Sequence, residues 1–542
     1  MSLRAFTQRL WPHILFPLLF FCLGLCLLPY PGLQNDEVLF ANPLFHVAAA
    51  DRFHIEVFHH SVPLMLLTYM GALKTWLYGP ILALFAPTYL TVRLPALFLG
   101  AITIWLFVWL LGSVHGKRAA WIGGLLLATD SAFLLTTCFD WGPVALQHFL
   151  LVFGTLLVWH FSHSGARSAL FWGLFCFGLG MWDKALFGWV LGGLVSAVVI
   201  LFPREIWKRW TMKNVLAAAA GFSIGALPLL AYNFTSGFPT VRSNSSFGFE
   251  ELARKAGTLR GTWNGSVLFG YLVNQPSADY VRDPQGTLER ASFGLHSALG
   301  EHLSNRMEAG FYASLALIPW LWFTRARRAI LFGLIALGVA WFQMAITKGA
   351  GAAAHHAVLL WPLPHFVLAI AFTEASVHLR KIGGWMVAAV VLYLAAGSLL
   401  VTNQYLYRLA RYGPAAVWSD GIYQLSDEVG RMKTSLVVID DWGMLNQLVL
   451  FHHGQLPLEF AGDDFLSPQA GNDANKWDLT RLQQGLWVGH TAAMELFAGA
   501  NARIVKAAAG AGLQKEVIKV ISDRHGRPTF EIFRFKKLGQ LP

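Results

Sequence analysis

An adjacent acid pair, Asp36-Glu37, stands in the apolar stretch Leu33-Gln-Asn-Asp-Glu-Val-Leu-Phe40. Carboxylates in such a setting face water at a boundary, gain basicity from burial, or hold a metal ion. Asp140, in Cys138-Phe-Asp-Trp-Gly-Pro143, is a second isolated carboxylate. It either caps the helix that Pro143 opens, or joins Asp36 in positioning an acceptor or binding a divalent ion. Asp36, Glu37 and Asp140 are therefore the candidate catalytic residues. Asp36 with Asp140 are the candidate ligands for a divalent ion such as magnesium, manganese or zinc. Lys184, Lys348, Arg242 and Arg306 are cations near the ends of apolar runs, where such groups hold phosphate at lipid-headgroup depth. His355-His356 extends that phosphate-binding set, and His59-His60 marks a candidate acceptor or interfacial element. The bland alternatives are an Asp183-Lys184 ion pair and histidines that simply face the membrane interface.

The elements that must carry these residues follow from composition. The 542-residue chain is 55% hydrophobic and only 13% charged, with a mean hydropathy of +0.49. That excludes an ordinary soluble enzyme and points to a polytopic α-helical membrane protein. Apolar runs close to the roughly 20 residues that cross a bilayer lie at 13–29, 93–112, 119–137, 143–161, 168–182, 185–202, 213–232, 310–323, 329–346, 355–373 and 383–402. These eleven expected spans sort the basic residues to one side: Arg4 and Arg9, Lys117-Arg118, Arg167, Arg204 to Lys213, Arg325 to Arg328, and Arg380-Lys381. By the positive-inside rule that side is cytoplasmic, with the N-terminus, and the acidic and histidine motifs gather on the other. No small-x-small cleavage pattern follows the first run, so it is expected to remain as an uncleaved span.

The run from Val62 to Phe85, with Lys74 in its middle, is read as helices lying at the interface, because counting it as a span would invert every later loop. The membrane domain thus covers 1–402, with a first outside loop at 30–92 and a long one at 233–308 containing a short helix near Phe249–Gly261. Residues 403–542 form a small outside α/β domain, with a short buried strand ending at Asp440-Asp441 that serves as a ligand-binding edge or merely as a helix cap. The net charge of +11 does not imply nucleic acid, since the basic residues lie in loops between spans; membrane lipids and phosphates are the expected partners. The four cysteines form no disulfide or CxxC pattern. Glycines at 173, 178, 180, 188, 192 and 193 are packing positions between helices. Three N-x-S/T sequons in the long loop carry little weight. Asp130, well inside a span where a carboxylate costs roughly 2.5–3.5 kcal/mol, needs a polar partner, for which His148 with Gln147 is the candidate.

In order along the chain, these motifs resemble those of the GT-C membrane glycosyltransferases, in the branch of protein O-mannosyltransferases and lipid A aminoarabinose transferases. Asn35-Asp36-Glu37 resembles the acidic pair after the first span. His59-His-Ser-Val-Pro-Leu64 resembles the (H/K)PPL segment, and Val92-Arg-Leu-Pro-Ala96 the opening of the second span. Phe139-Asp140 resembles the second loop acid, Trp182-Asp-Lys184 the TKG turn, and His355-His356 with Leu360-Trp-Pro362 the HY…LP element. The chain departs from the pattern at Ser61, at Ala185 and at His356, which suggests a distinct subfamily. The resemblance implies transfer of a sugar from a polyprenyl phosphate to a lipid, glycan or protein acceptor, with inversion, on the outer face of a bacterial inner membrane. It implies Asp36 as base, Asp140 as an orienting group, and Lys184, Arg306 and His356 as phosphate ligands. A lipid or solute transporter is the alternative; against it, no internal repeat is visible and the candidate charges lie at one face.

Overall fold

Among the described residues, four helices of the computed structural model are long and apolar enough to cross a bilayer: Tyr89–His115, Val144–Ser164, Arg327–Ile346 and Ile382–Tyr412. Four further pairs qualify only when the two halves of a bent helix are counted together, so the spans number up to eight by length and composition, and not the eleven expected. The shortfall has local causes. Run 168–182 forms the 17-residue helix Arg167–Asp183, while run 13–29 lies largely within the 25-residue helix Leu3–Leu27. Run 310–323 is split into Met307–Ala316 and a short turn over Ile318–Leu321 with Pro319 near its start. The structure describes residues 3–45, 52–244, 246–461 and 483–537. The side chains of Arg4, Arg9, Arg380 and Lys381, used in the charge argument, lie outside the described residues, as does Ser245 of one sequon.

One bend accounts for the buried Asp130. Helices Lys117–Thr129 and Ser131–Cys138 meet there at 57°, and the Asp130 carboxylate accepts the Phe133 N–H at 2.7 Å to cap the second half. A helix break exposes N–H groups that a capping side chain must satisfy. The second carboxylate oxygen lies 3.2 Å from His365 Nε2. The expected partners are engaged elsewhere: His148 Nε2 with the Val358 carbonyl at 2.7 Å, and Gln147 with Asp183 at 2.7 Å.

The segment expected to form interfacial helices, Val62–Phe85, instead begins in the second and third strands of an antiparallel sheet ordered Phe53–Val57, His60–Leu67, Met70–Gly71. Only Leu73–Leu84 is helical. Phe58 and His59, at φ 48° and 65°, form the two-residue turn of the first hairpin, the twist that suits paired strands. Pro63, which cannot donate to a ladder, lies opposite His54 beside a register shift, as proline in a strand requires.

The C-terminal domain has a five-stranded sheet ordered Leu458–Phe460, Val437–Ile439, Leu486–His490, Pro528–Lys537, Leu513–Ser522. The first three strands are parallel and the last two antiparallel. Val437-Val-Ile439 is buried at every position, the pattern of a central parallel strand covered on both faces. Helix Gly421–Arg431 packs beside the sheet, and helix Ala500–Gly510 replaces the one expected near 491–500. Helix Leu445–Phe451 packs on the segment following the first membrane helix, so the domain sits at the end of the bundle that carries Asp36.

Candidate functional site

The chain leaves its first helix and turns sharply over Leu28–Val38. Arg93, fully buried in helix Tyr89–His115, organises this turn. Its guanidinium donates to the carbonyls of Leu28, Pro31 and Gly32, each at 2.8 Å, and to both Glu37 oxygens at 2.7 and 2.9 Å. Guanidinium and carboxylate match as planar forks, which makes the pair strong and directional. Gln34 caps the short helix Asn35–Val38 by accepting the N–H groups of Asp36 and Glu37. Asn35 and Glu37 are buried, and Asp36 between them is exposed.

The Asp36 carboxylate is surrounded closely enough that burial raises its pKa, partly offset by hydrogen bonds within the turn and by Lys184. Tyr69 and Tyr271 also lie within its electrostatic reach. Glu37, by contrast, has both oxygens held by Arg93, and its part in any chemistry is to hold the turn.

Asp140 is buried and fully engaged. One oxygen accepts the N–H groups of Val144 and Ala145 at 2.6 and 3.1 Å, capping the helix Val144–Ser164. The other takes the ammonium of Lys74 at 2.9 Å, and Lys74 also donates to the Asp140 carbonyl at 3.0 Å. Lys74 is buried against Phe40 and Tyr78. Sequence reasoning used Lys74 only to decide topology; its one signal was a lone lysine inside an apolar run.

The cationic side of the site is built from three elements. Lys184, buried between helices Arg167–Asp183 and Phe187–Leu201, donates to the Gly142 carbonyl at 3.1 Å. Burial pulls its pKa down to about 8 against the opposing pull of Asp183, Asp140 and Asp36. Gly142 lets two side chains meet its backbone, because a Cβ there would lie 2.8 Å from His355 Cδ2 and 3.2 Å from Lys184 Nζ. Trp141 Nε1 donates to His355 Nδ1 at 2.8 Å, and the Gly351 N–H donates to His356 Nδ1 at 3.1 Å. An accepting Nδ1 places the proton of a neutral imidazole on Nε2, so both rings keep an N–H donor. The structure thus brings Lys184, His355 and His356 to one place, with Asp36 within electrostatic reach of Lys184.

The other expected residues lie elsewhere or are engaged. Lys348 is exposed and paired with Glu250 at 2.9 Å. Arg306 and Arg242 are exposed at the start of helix Met307–Ala316 and in helix Pro239–Asn244. His59 and His60 are exposed at the hairpin tip. In the C-terminal domain, Asp441 accepts from His490 and from the N–H groups of Trp442, Leu496 and Phe497. Burial pushes its pKa up, but these bonds outweigh it and hold the group below the usual carboxylate value. Asp440 is buried with no hydrogen-bond partner for either oxygen; burial, then Asp441, push its pKa well above the usual range.

A divalent ion between Asp36 and Asp140 would have to displace Lys74 and the helix N–H groups from Asp140. Among the described residues no group of three or more histidine, cysteine or acidic side chains converges on a point.

No protein-family model matches the chain, and no curated protein matches it in sequence. Solved structures do match. The chain is similar to ArnT from Cupriavidus metallidurans bound to undecaprenyl phosphate, with a TM-score of 0.56 at 14% identity over 96% of this chain and 97% of that one. The same protein in the apo state gives a TM-score of 0.55 at 12% identity over 98% of both chains. Archaeal oligosaccharyltransferase AglB from Archaeoglobus fulgidus, in complex with an inhibitory peptide and a dolichol-phosphate, gives 0.48 at 12% identity over 98% of this chain and 75% of that one. Because the ArnT likeness spans nearly the whole of both chains, it takes in the helices and the C-terminal domain alike, and the fold of this chain is like that of ArnT.

Proposed function

We propose that the protein is a membrane glycosyltransferase that moves a sugar from a polyprenyl phosphate to a hydroxyl of a lipid, glycan or protein at the outer face of a bacterial inner membrane. The observation that carries this reading is the pairing of an open carboxylate, Asp36, with a buried cationic pocket of Lys184 and two histidine N–H donors. In the transfer the acceptor oxygen bonds to the anomeric carbon as the bond from that carbon to the phosphate oxygen breaks. The acceptor proton passes to Asp36, whose raised pKa strengthens it as a base. The polyprenyl phosphate leaves as an anion held by Lys184 and by the Nε2–H groups of His355 and His356. Attack from the side opposite the phosphate inverts the anomeric centre. Glu37 and Asp140 hold the walls of the site in place.

Three features support a donor carrying phosphate on a lipid: the cation sits at a helix end, it is flanked by neutral donors, and the chain shares its fold with ArnT. The test is release of free polyprenyl phosphate by purified protein in lipid, offered a panel of polyprenyl-phosphate sugars with and without magnesium, manganese or zinc. Wild type releases the lipid phosphate from one donor, and Asp36→Asn lowers that rate at least about a hundredfold, the low end of a general base's contribution. Full turnover by a folded Asp36→Asn protein overturns the base role. The buried Asp130–His365 pair is the observation behind the alternative, a lipid or solute transporter; donor binding without release favours it.

A further inference from the structure

The three residues at the tip of the acidic turn are held from two sides. Glu37 is gripped by Arg93 from the membrane helices. Asn35 is gripped by Asn446, which lies 411 positions away in helix Leu445–Phe451 of the C-terminal domain. The Asn446 backbone N–H donates to Asn35 Oδ1 at 3.2 Å, and its Nδ2 donates to the Asn35 carbonyl at 3.0 Å. Its Oδ1 accepts from Asn42 Nδ2 at 2.7 Å, at the far end of the same segment. All three asparagines are buried.

The neighbouring Gln447 donates to the Leu33 carbonyl at 3.0 Å, and the Gly32 N–H donates to the Trp418 carbonyl at 2.7 Å. The approach at Gly32 is close enough that a Cβ there would lie 2.1 Å from the Ser419 carbonyl oxygen. Arg524 adds a bond to the Pro29 carbonyl at 2.8 Å. Apart from the Asn42 bond, these contacts fall on the turn that presents Asp36, and Asp36 alone of the three central residues is exposed.

We infer that the C-terminal domain is a working part of the site, and that Asn446 is a positioning residue that fixes the direction of the Asp36 carboxylate through Asn35. The side-chain chemistry is specific: only a primary amide of this length donates to the Asn35 carbonyl and accepts from Asn42 at once. Aspartate has the same shape but lacks the donor, and it sets a second negative charge beside the turn. Buried hydrogen bonds with both ends satisfied hold one geometry, and a half-satisfied network loses it. Reaction rates are sensitive to such placement, since a shift of about 1 Å can cost about a hundredfold.

This inference rests on the transferase reading of Asp36. Asn446→Ala and the isosteric Asn446→Asp are compared with wild type in the full-length protein in lipid. Turnover, KM for the donor, the pH profile of kcat and hydrogen exchange of the peptides covering 30–42 are measured. The expected result is a fall in kcat of at least about tenfold with donor KM changed less than about threefold, because Lys184 and the histidines are untouched. The acidic limb of the pH profile moves, and protection is lost over 30–42 while the membrane helices keep theirs. A merely structural role lowers thermal stability without splitting kcat from KM or moving the limb. Wild-type turnover and unchanged protection in either folded variant overturn the positioning role and leave the transferase reading standing. A wild type that turns over no donor sinks the transferase reading and this one with it.

Discussion

The turn that carries Asp36 and the turn that carries Asp140 treat their carboxylates in opposite ways. At Asp36 the neighbours take up the outside partners: Asn35 bonds to Asn446 and Glu37 to Arg93, so the group between them is exposed and keeps hydrogen bonds only within its own turn. At Asp140 the carboxylate itself takes up three partners, two helix N–H groups and the Lys74 ammonium. Both residues stand beside the same cationic pocket. What distinguishes a reactive carboxylate from a structural one is whether its lone pairs are already satisfied, and that is set by the neighbours.

This contrast can be broken most severely at Asp140. Asp140→Ala strands the buried Lys74 ammonium, and losing one partner of a buried pair costs about 3–5 kcal/mol. A large fall in Tm is expected in detergent, and the double replacement Lys74→Met with Asp140→Leu should recover part of it. If Asp140→Ala instead keeps its Tm and loses only turnover, Asp140 belongs with Asp36 as a chemical group. At Asp36 the order reverses. Asp36→Asn should leave Tm nearly unchanged and lower turnover at least about a hundredfold.

The pH dependence sharpens the same comparison. The Asp36 base must be ionised, and its pKa is raised by burial, so activity falls on acidification at a pH above that of an ordinary carboxylate. Lys184 must be protonated, and its pKa is lowered to about 8, so the ammonium is present below that pH and activity falls as pH rises through it. Lys184→Arg, which stays charged, should flatten the alkaline limb in a kcat profile; an unmoved limb would assign it to another group. The smallest effect is expected at the exposed pair Lys348–Glu250. Lys348→Ala should change stability by less than about 1 kcal/mol, as surface pairs do, and donor KM by less than about threefold; a larger KM change would return Lys348 to the phosphate site.

Much of the site was legible in the sequence. Asp36, Lys184, His355 and His356 stand out because charged groups in apolar surroundings must have a reason, and their order along the chain resembles a known family. Lys74, Arg93 and Asn446 were missed as site residues. Lys74 and Arg93 look locally like interruptions of apolar runs, and Asn446 lies in a domain with no sequence signal linking it to the first turn. The bent helices at Asp130 and near Pro319 were counted as whole spans, because hydropathy sums over a window and does not register a change of axis. The start of the run Val62–Phe85, which lies in strand His60–Leu67, was mistaken for helix, since an apolar run of that length carries no decisive period.

Taken alone, the sequence determined the properties that depend on local composition: residence in a membrane, a separate C-terminal domain, and a set of charged and histidine side chains near the helix ends. Tertiary structure decided which of those side chains is free. Glu37 and Arg93 are 56 positions apart, Lys74 and Asp140 66, and Asn35 and Asn446 411. Partners at such separations are chosen by how helices and domain pack, and the availability of a carboxylate is the sum of those choices.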